Sequence, residues 1–316
     1  MKNKKYYLGI DLGGTFIKGA VISRDGKIII QNKIPTESDL GTDRIVRNIA
    51  ELSRELTKAA SLELSDIEAV GVGSPGVIVG DGVVICAKNL GFENFPLASE
   101  ISKALGLKVR VSNDANAAAL GEFKFGAANK YNSIIFITLG TGVGGGIVID
   151  GKLFEGNRGV GAELGHSVIV AGGEPCTCGR RGCLEAYASA TALIRDTKRA
   201  MMNNKASKLW QIGDVEKVSG KTAFDFYFED ESAKCVVDSY IEKLACGIVN
   251  LANEFRPEAI ILGGGVCAQG ENLTRPIEKI MNKEIFSAAT TPKVDLVIAS
   301  LGNDAGCLGA AALVME

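Results

Sequence analysis

A chain of 316 residues has the length of about two domains, and 46% apolar with 23% charged residues is a globular composition that excludes intrinsic disorder. Lys and Arg number 35 against 37 Asp and Glu, a net charge of -2 that carries no electrostatic footprint for nucleic acid. The 39 glycines exceed what helices and strands use and predict loops where backbone turns tightly or lies against a ligand.

Met1 to Lys5 is basic, but the apolar stretch behind it ends at Asp11, too short for a signal peptide. Tyr6 to Asp11 reads as a strand that meets Gly13-Gly14, and Ile17 to Ile22 and Lys27 to Lys33 continue a meander across the Asp25-Gly26 turn. Thr42 is the expected N-cap of a helix whose apolar positions Ile45, Ile49, Leu52, Leu56 and Ala59 step by 4, 3, 4, 3. Ala69 to Gly73 reads as a buried strand leading into the turn Ser74-Pro75-Gly76. A short helix over Leu97 to Leu105, a strand over Lys108 to Val111 and an Ala-rich helix over Ala115 to Phe123 follow.

The pattern then restarts. Ile134 to Leu139 is a predicted strand, Gly140 to Gly146 a glycine turn, and Ile147 to Ile149 a strand before Asp150-Gly151. Ile10 to Thr15 and Ile137 to Gly142 match in kind, and each is followed by a β-branched strand and Asp-Gly-Lys, so the chain reads as internally duplicated. The uncharged run Tyr131 to Ile149 is long enough for a membrane span but holds five glycines and would make a poor apolar helix. These features point to a cytoplasmic protein without membrane contact. In the second half, Val237, Ile241, Leu244, Ile248, Leu251 and Phe255 mark a long amphipathic helix closed by Pro257. Ala259 to Leu262 is a strand running into Gly263-Gly264-Gly265, and a last helix covers about Asp304 to Val314.

Three glycine turns thus follow strands, and backbone N–H groups without a Cβ in the way can approach phosphate oxygens, with Thr15 and Thr141 adding hydroxyl donors. No Walker-type P-loop occurs. Gly140, Gly142 and Gly145 satisfy G-x-G-x-x-G with Glu163 downstream, yet strand rather than helix follows, which argues against a dinucleotide site. Asp11 in the first turn supplies a carboxylate of the kind that ligates a nucleotide's Mg²⁺.

The single histidine, His166, precedes Cys176, Cys178 and Cys183, three of the eight cysteines, among glycines that let a short chain wrap one ion. Three thiolates and one imidazole complete a tetrahedral Zn²⁺ shell with no open position, so a structural site is expected, with buried thiols or a disulfide as the alternatives. With one histidine, a general base is more readily a carboxylate. Asn89, Asn113-Asp114, Glu163 and Glu185 concentrate polar groups at turns and suit a polyhydroxyl ligand. Asp114, at a strand end before a helix, also reads as that helix's N-cap.

Gly9 to Thr15, Ser74-Pro-Gly76, Asn89-Leu90, Asn113-Asp-Ala-Asn116, Leu139 to Gly146, Glu163-Leu-Gly-His166, Cys176-Thr-Cys-Gly-Arg-Arg-Gly-Cys-Leu-Glu185 and Ile261 to Val266 together resemble the ROK sugar kinases, in particular their bacterial glucokinase branch. The resemblance runs in order along essentially the whole chain. The histidine and cysteine motifs carry its specificity, because the glycine turns alone indicate only the wider actin-like ATPase group.

The resemblance implies two actin-like (ribonuclease H-like) α/β domains with an interdomain cleft, expected over residues 1–112 and 113–303, the helix at about 304–316 packing back on the first. It implies ATP-dependent phosphorylation of the 6-hydroxyl of glucose, with Asp114 as general base. Gly76, Asn89, Asn113, Glu163, His166 and Glu185 would position the sugar. Asp11, Gly13, Gly14, Thr15, Lys18, Gly140, Thr141, Gly142, Gly264 and Gly265 would hold ATP, with Mg²⁺ on Asp11. Zinc on His166 and the three cysteines would orient the pocket. A homodimer or higher homo-oligomer is expected.

Phe92 stands where the family has an aromatic, usually Trp, and Cys267 where Ser is common. The rival readings are another hexose (N-acetylmannosamine, N-acetylglucosamine, mannose, allose or fructose), a non-sugar actin-type ATPase, and the family's sugar-responsive repressors, whose helix-turn-helix has no room before a first strand at Tyr6.

Overall fold

The computed structural model describes residues 6–315. In chain order the elements are β1 Tyr6–Leu12, β2 Phe16–Ser23, β3 Ile28–Pro35, α1 Thr42–Ala59, β4 Ile67–Ser74, β5 Val77–Val79, β6 Val83–Ala87, β7 Phe92–Phe95, α2 Leu97–Leu105, β8 Lys108–Asn113 and α3 Asp114–Phe125. They continue with β9 Ile134–Leu139, β10 Val143–Ile149, β11 Lys152–Phe154, α4 Glu185–Ala188, α5 Ala190–Asn203, α6 Thr222–Asp225, α7 Glu231–Phe255, β12 Ala259–Gly263, α8 Glu271–Glu284, β13 Asp295–Ile298 and α9 Ala305–Ala312. No helix among the described residues is long and apolar enough to cross a membrane.

Two compact units form: one runs to Asn132, takes in Gly146–Ala162 and resumes at Ala299, and the other comprises Ser133–Gly145 and Glu163–Ile298. The division does not fall at residues 112 and 113. Helix α3 belongs to the first unit because it packs along α9, where Gly121 and Gly309 let the backbones touch: a Cβ on Gly309 would overlap the carbonyl of Ala117.

The first unit is built on a sheet of order β3-β2-β1-β4-β8, antiparallel among β1, β2 and β3 and parallel among β1, β4 and β8. Helix α1 buries Ile45, Ile49, Leu52 and Leu56 against β2 and β3. Its N-cap is Gly41 rather than Thr42, which is the first helical residue. The Ala- and Gly-rich α9 lies directly on β1 and β4. A Cβ on Gly9 would overlap the carbonyl of Cys307, and one on Gly71 the carbonyl of Ala310. Gly9 and Gly71 therefore serve helix-on-sheet contact, not ligand loops. A small sheet β5-β6-β7, absent from the sequence reading, follows the Pro75-Gly76 turn.

The second five-stranded sheet has the order β11-β10-β9-β12-β13, with β9, β12 and β13 parallel, and β10 runs from the second unit into the first. Helix α7 buries Val237, Ile241, Leu244, Ile248 and Leu251. Phe255, assigned by spacing to the same stripe, is 39% exposed at the helix end, where Arg256 turns left-handed before Pro257.

Candidate functional site

In the first unit three parallel strands present their carboxyl ends together: Asp11 is in register with Gly73, and Ser74 with Asn113. Ends of this kind are where α/β sheets bind ligands, because the chain leaves the sheet there in loops free to carry polar groups. Asn113 is extended (φ -60, ψ 145), and its Oδ1 accepts from Ala115 N at 2.9 Å and Asn116 N at 3.3 Å. Asn113 is therefore the cap of α3, correcting the reading of Asp114 in that part. Asp114 stands exposed at the first helical position, its Oδ1 accepting from Ala115 N at 2.9 Å.

Asn113 Nδ2 donates to Gly76 O at 3.4 Å. Gly76 has φ 100, and any Cβ there would overlap the carbonyl of Cys86, so both conformation and space require glycine. The Gly13-Gly14 turn is closed by Gly13 N donating to Phe16 O at 3.0 Å, and Thr36 Oγ1 donates to Gly13 O at 2.7 Å. Asn89 adjoins this turn, its Nδ2 3.2 Å from where a Gly14 Cβ would sit.

The Asp11 carboxylate lies 3.7 Å from Lys18 Nζ. Burial raises the Asp11 carboxyl above its ordinary range, opposed by the charge and hydrogen bond of Lys18. The carboxylate rests against Gly306 at the start of α9, a neighbour that no sequence signal marked.

In the second unit the strand β10 begins at Val143, so Gly144, Gly145 and Gly146 are strand residues and the turn is Gly140-Thr141-Gly142 alone. Three contacts anchor it. Gly140 O accepts from Ala190 N at 2.8 Å, Thr141 O from Thr191 Oγ1 at 2.7 Å, and Glu185 Oε2 from Val143 N at 3.1 Å. Thr191 was not foreseen, since a threonine in a helix's first turn is ordinary.

Glu185 also accepts from Thr177 Oγ1 at 2.8 Å and lies 3.6 Å from Cys176 Sγ, tying the glycine turn to the cysteine loop. The turn Leu164–His166 lies against β10, where a Cβ on Gly165 would overlap the carbonyl of Val143. This fixes His166, with Glu163 exposed just before the turn. Gly264 has φ 89 and abuts the main chain of Leu139, whereas Gly265 faces open space.

His166, Cys176, Cys178 and Cys183 bring their ligand atoms within 4.8 Å of one another. Cys176 Sγ is 3.6 Å from His166 Nδ1, and Cys178 Sγ is 3.7 Å from Cys183 Sγ. Tetrahedral zinc with ordinary Zn–S and Zn–N bonds spaces such atoms about 3.6 to 3.8 Å apart. The donor set therefore fits one zinc ion. Burial pushes the Cys183 thiol up to about 12, so an enclosed cation is what would hold it as thiolate. The loop is shaped by Gly179 (φ 89) and Gly182 (φ 82), and by Cys176 N donating to Arg180 O at 2.9 Å.

The ROK family model matches residues 7–316. The chain belongs to the ROK family. A glucokinase from Halalkalibacterium halodurans is 40% identical to this ROK protein over 99% of the chain and 96% of its own length. A glucokinase from Thermotoga maritima is also 40% identical, over 98% of the chain and 97% of its own length. The crystal structure of a ROK family glucokinase from Streptomyces griseus in complex with glucose and AMPPNP is 35% identical, with a TM-score of 0.80 and 98% of each chain covered. The fold is accordingly that of two actin-like, ribonuclease H-like domains.

Proposed function

We propose that this ROK protein transfers the γ-phosphoryl group of ATP to the 6-hydroxyl of glucose, with Asp114 as general base. The observation that carries the assignment is the division of labour between Asn113 and Asp114. Asn113 takes the capping hydrogen bonds, and Asp114, which shares Ala115 N, stands exposed at the carboxyl end of β8. The choice of glucose is supported by the 40% identity to glucokinases over nearly the whole chain.

Phosphoryl transfer asks mainly for positioning and for a base aimed at the nucleophile. Asp114 accepts the proton of the 6-hydroxyl as its oxygen attacks the γ-phosphorus, and ADP leaves. Gly76, Asn89, Asn113, Glu163, His166 and Glu185 hold sugar hydroxyls. His166 presents Nδ1 to Cys176 Sγ and keeps Nε2 for the sugar. The Gly13 to Thr15 and Gly140 to Gly142 turns present backbone N–H groups and hydroxyls to the phosphates, with Lys18 beside them, and Gly264 and Gly265 lie toward the adenosine.

Asp11, a partly buried carboxylate, fits Mg²⁺, which when bound neutralises phosphate charge. His166, Cys176, Cys178 and Cys183 would hold zinc, which would supply no chemistry beyond fixing that loop and, through Glu185, the sugar-binding groups. The protein acts in the cytoplasm as a homo-oligomer. A coupled ADP-release assay with ATP over a panel of hexoses tests the reading: glucose should give the highest kcat/KM, and preference for another hexose would reassign the substrate.

A further inference from the structure

In the first unit, β8, α3, the start of β11 and the end of α9 with the chain after it line an open cavity of about 340 Å³, at the small end of ligand-sized pockets. Every charged side chain lining it is a cation: Lys108, Arg110, Lys124 and Lys152. The chain as a whole carries -2, so this concentration of one sign runs against its background. Two of the cations are partly engaged. Arg110 pairs with Glu155 at 3.0 Å, and Lys124 Nζ donates to Ala312 O at 3.2 Å and Met315 O at 2.6 Å.

Lys108 and Lys152 have no carboxylate partner among the described residues. Leu120 and Leu153 form an apolar wall beside the charges. Burial, and to a lesser extent the charge of Arg110, lower the Lys124 pKa.

We propose that this cavity is a binding site for a small phosphate-bearing anion, separate from the residues assigned to phosphoryl transfer. Lys108 and Lys152, unpaired with any carboxylate among the described residues, supply charge, and Lys124 and Arg110, the latter also donating to Leu313 O at 3.2 Å, supply directed N–H donors. Each phosphate oxygen can accept two or more such bonds, and the cavity has room for a short organic tail along the leucines. None of these four cations is assigned to sugar or ATP, so the inference stands whether or not the substrate is glucose.

The test is calorimetric titration of the full chain, saturated with glucose and AMPPNP, with inorganic phosphate and with glucose 6-phosphate. The account expects one binding event, weakened by salt and weakened about tenfold or more in the double variant Lys108→Glu, Lys152→Glu. Both side chains are exposed, and melting temperature and turnover of that variant should stay at wild-type values. Tighter binding of glucose 6-phosphate than of inorganic phosphate would identify an organic phosphate as the ligand, and equal binding the phosphate group alone. Equal affinity in wild type and double variant, no heat with either probe, or binding seen only after Glu316 is removed would overturn the proposal.

Discussion

Gly306→Ala should separate activity from stability. In α9 the substitution gains about 1 kcal/mol of helix propensity, since glycine loses the most backbone freedom there. Against this, a Cβ at position 306 would lie 2.6 Å from Asp11 Cγ and 2.7 Å from Oδ2, well inside van der Waals contact. Inserting a methyl into a filled space costs about 1–3 kcal/mol.

The three nearest atoms all belong to one side chain, which is 25% exposed and can turn away, so the low end of that cost applies. Propensity and crowding then nearly cancel, while Asp11 is pushed off its position. A displacement of about 1 Å in a positioning group costs on the order of a hundredfold in rate. Turnover should fall about 10- to 100-fold with a raised KM for Mg-ATP, and urea unfolding should change by less than about 1 kcal/mol.

Gly309→Ala is the contrast, because its Cβ would overlap a main-chain carbonyl on α3 and two helices must part. It should lose about 3 kcal/mol or more. Initial rates against Mg-ATP and urea curves on both variants decide the matter. Wild-type turnover in Gly306→Ala, or activity lost only in proportion to folded protein, would refute the reasoning.

Three further outcomes are expected. Burial raises the Asp11 carboxyl, so its ionisation costs stability; that cost is absent below the ordinary carboxylate range and complete above the raised pKa. Asp11→Asn should therefore raise the melting temperature of the ligand-free protein at neutral pH and not in acid, and a pH-independent gain would contradict the assignment. Metal analysis should find about one zinc per chain, and chelation should raise KM for the sugar more than for ATP; a metal-free, fully active preparation would remove the site. Glu122 is fully buried and accepts from Ala127 N at 2.9 Å, Ser300 N at 3.2 Å and Leu301 N at 2.8 Å. Glu122→Ala strands these donors at about 1–3 kcal/mol each, so a chemical-denaturation loss below about 1 kcal/mol would show that water or a shifted loop replaces the carboxylate.

What could be read from the sequence was local. The 4, 3, 4, 3 spacing of α1 and the run Ile134 to Leu139 declare their elements because their periodicity is contained within them. The cluster of His166 and three cysteines is legible for the same reason, since three of the four lie within eight residues. The roles of Gly9, Gly71 and Gly309 were not legible, because each is set by a carbonyl far along the chain.

Asn113 and Asp114 are both capping residue types, and only the backbone decides which is extended and which helical. The strands β5, β6 and β7 are three to five residues long, too short for alternation to register. Helix α8 hides behind Pro276, which it tolerates while burying Leu273, Ile277 and Met281.

The most direct measurement is transfer of labelled γ-phosphate from ATP to glucose, by the wild-type chain and by Asp114→Ala. The account predicts glucose 6-phosphate from the wild type, and a rate lower by about 10²–10⁴-fold in the variant, with ATP affinity unchanged. An inert wild type, or a variant that turns over near the wild-type rate, would contradict it.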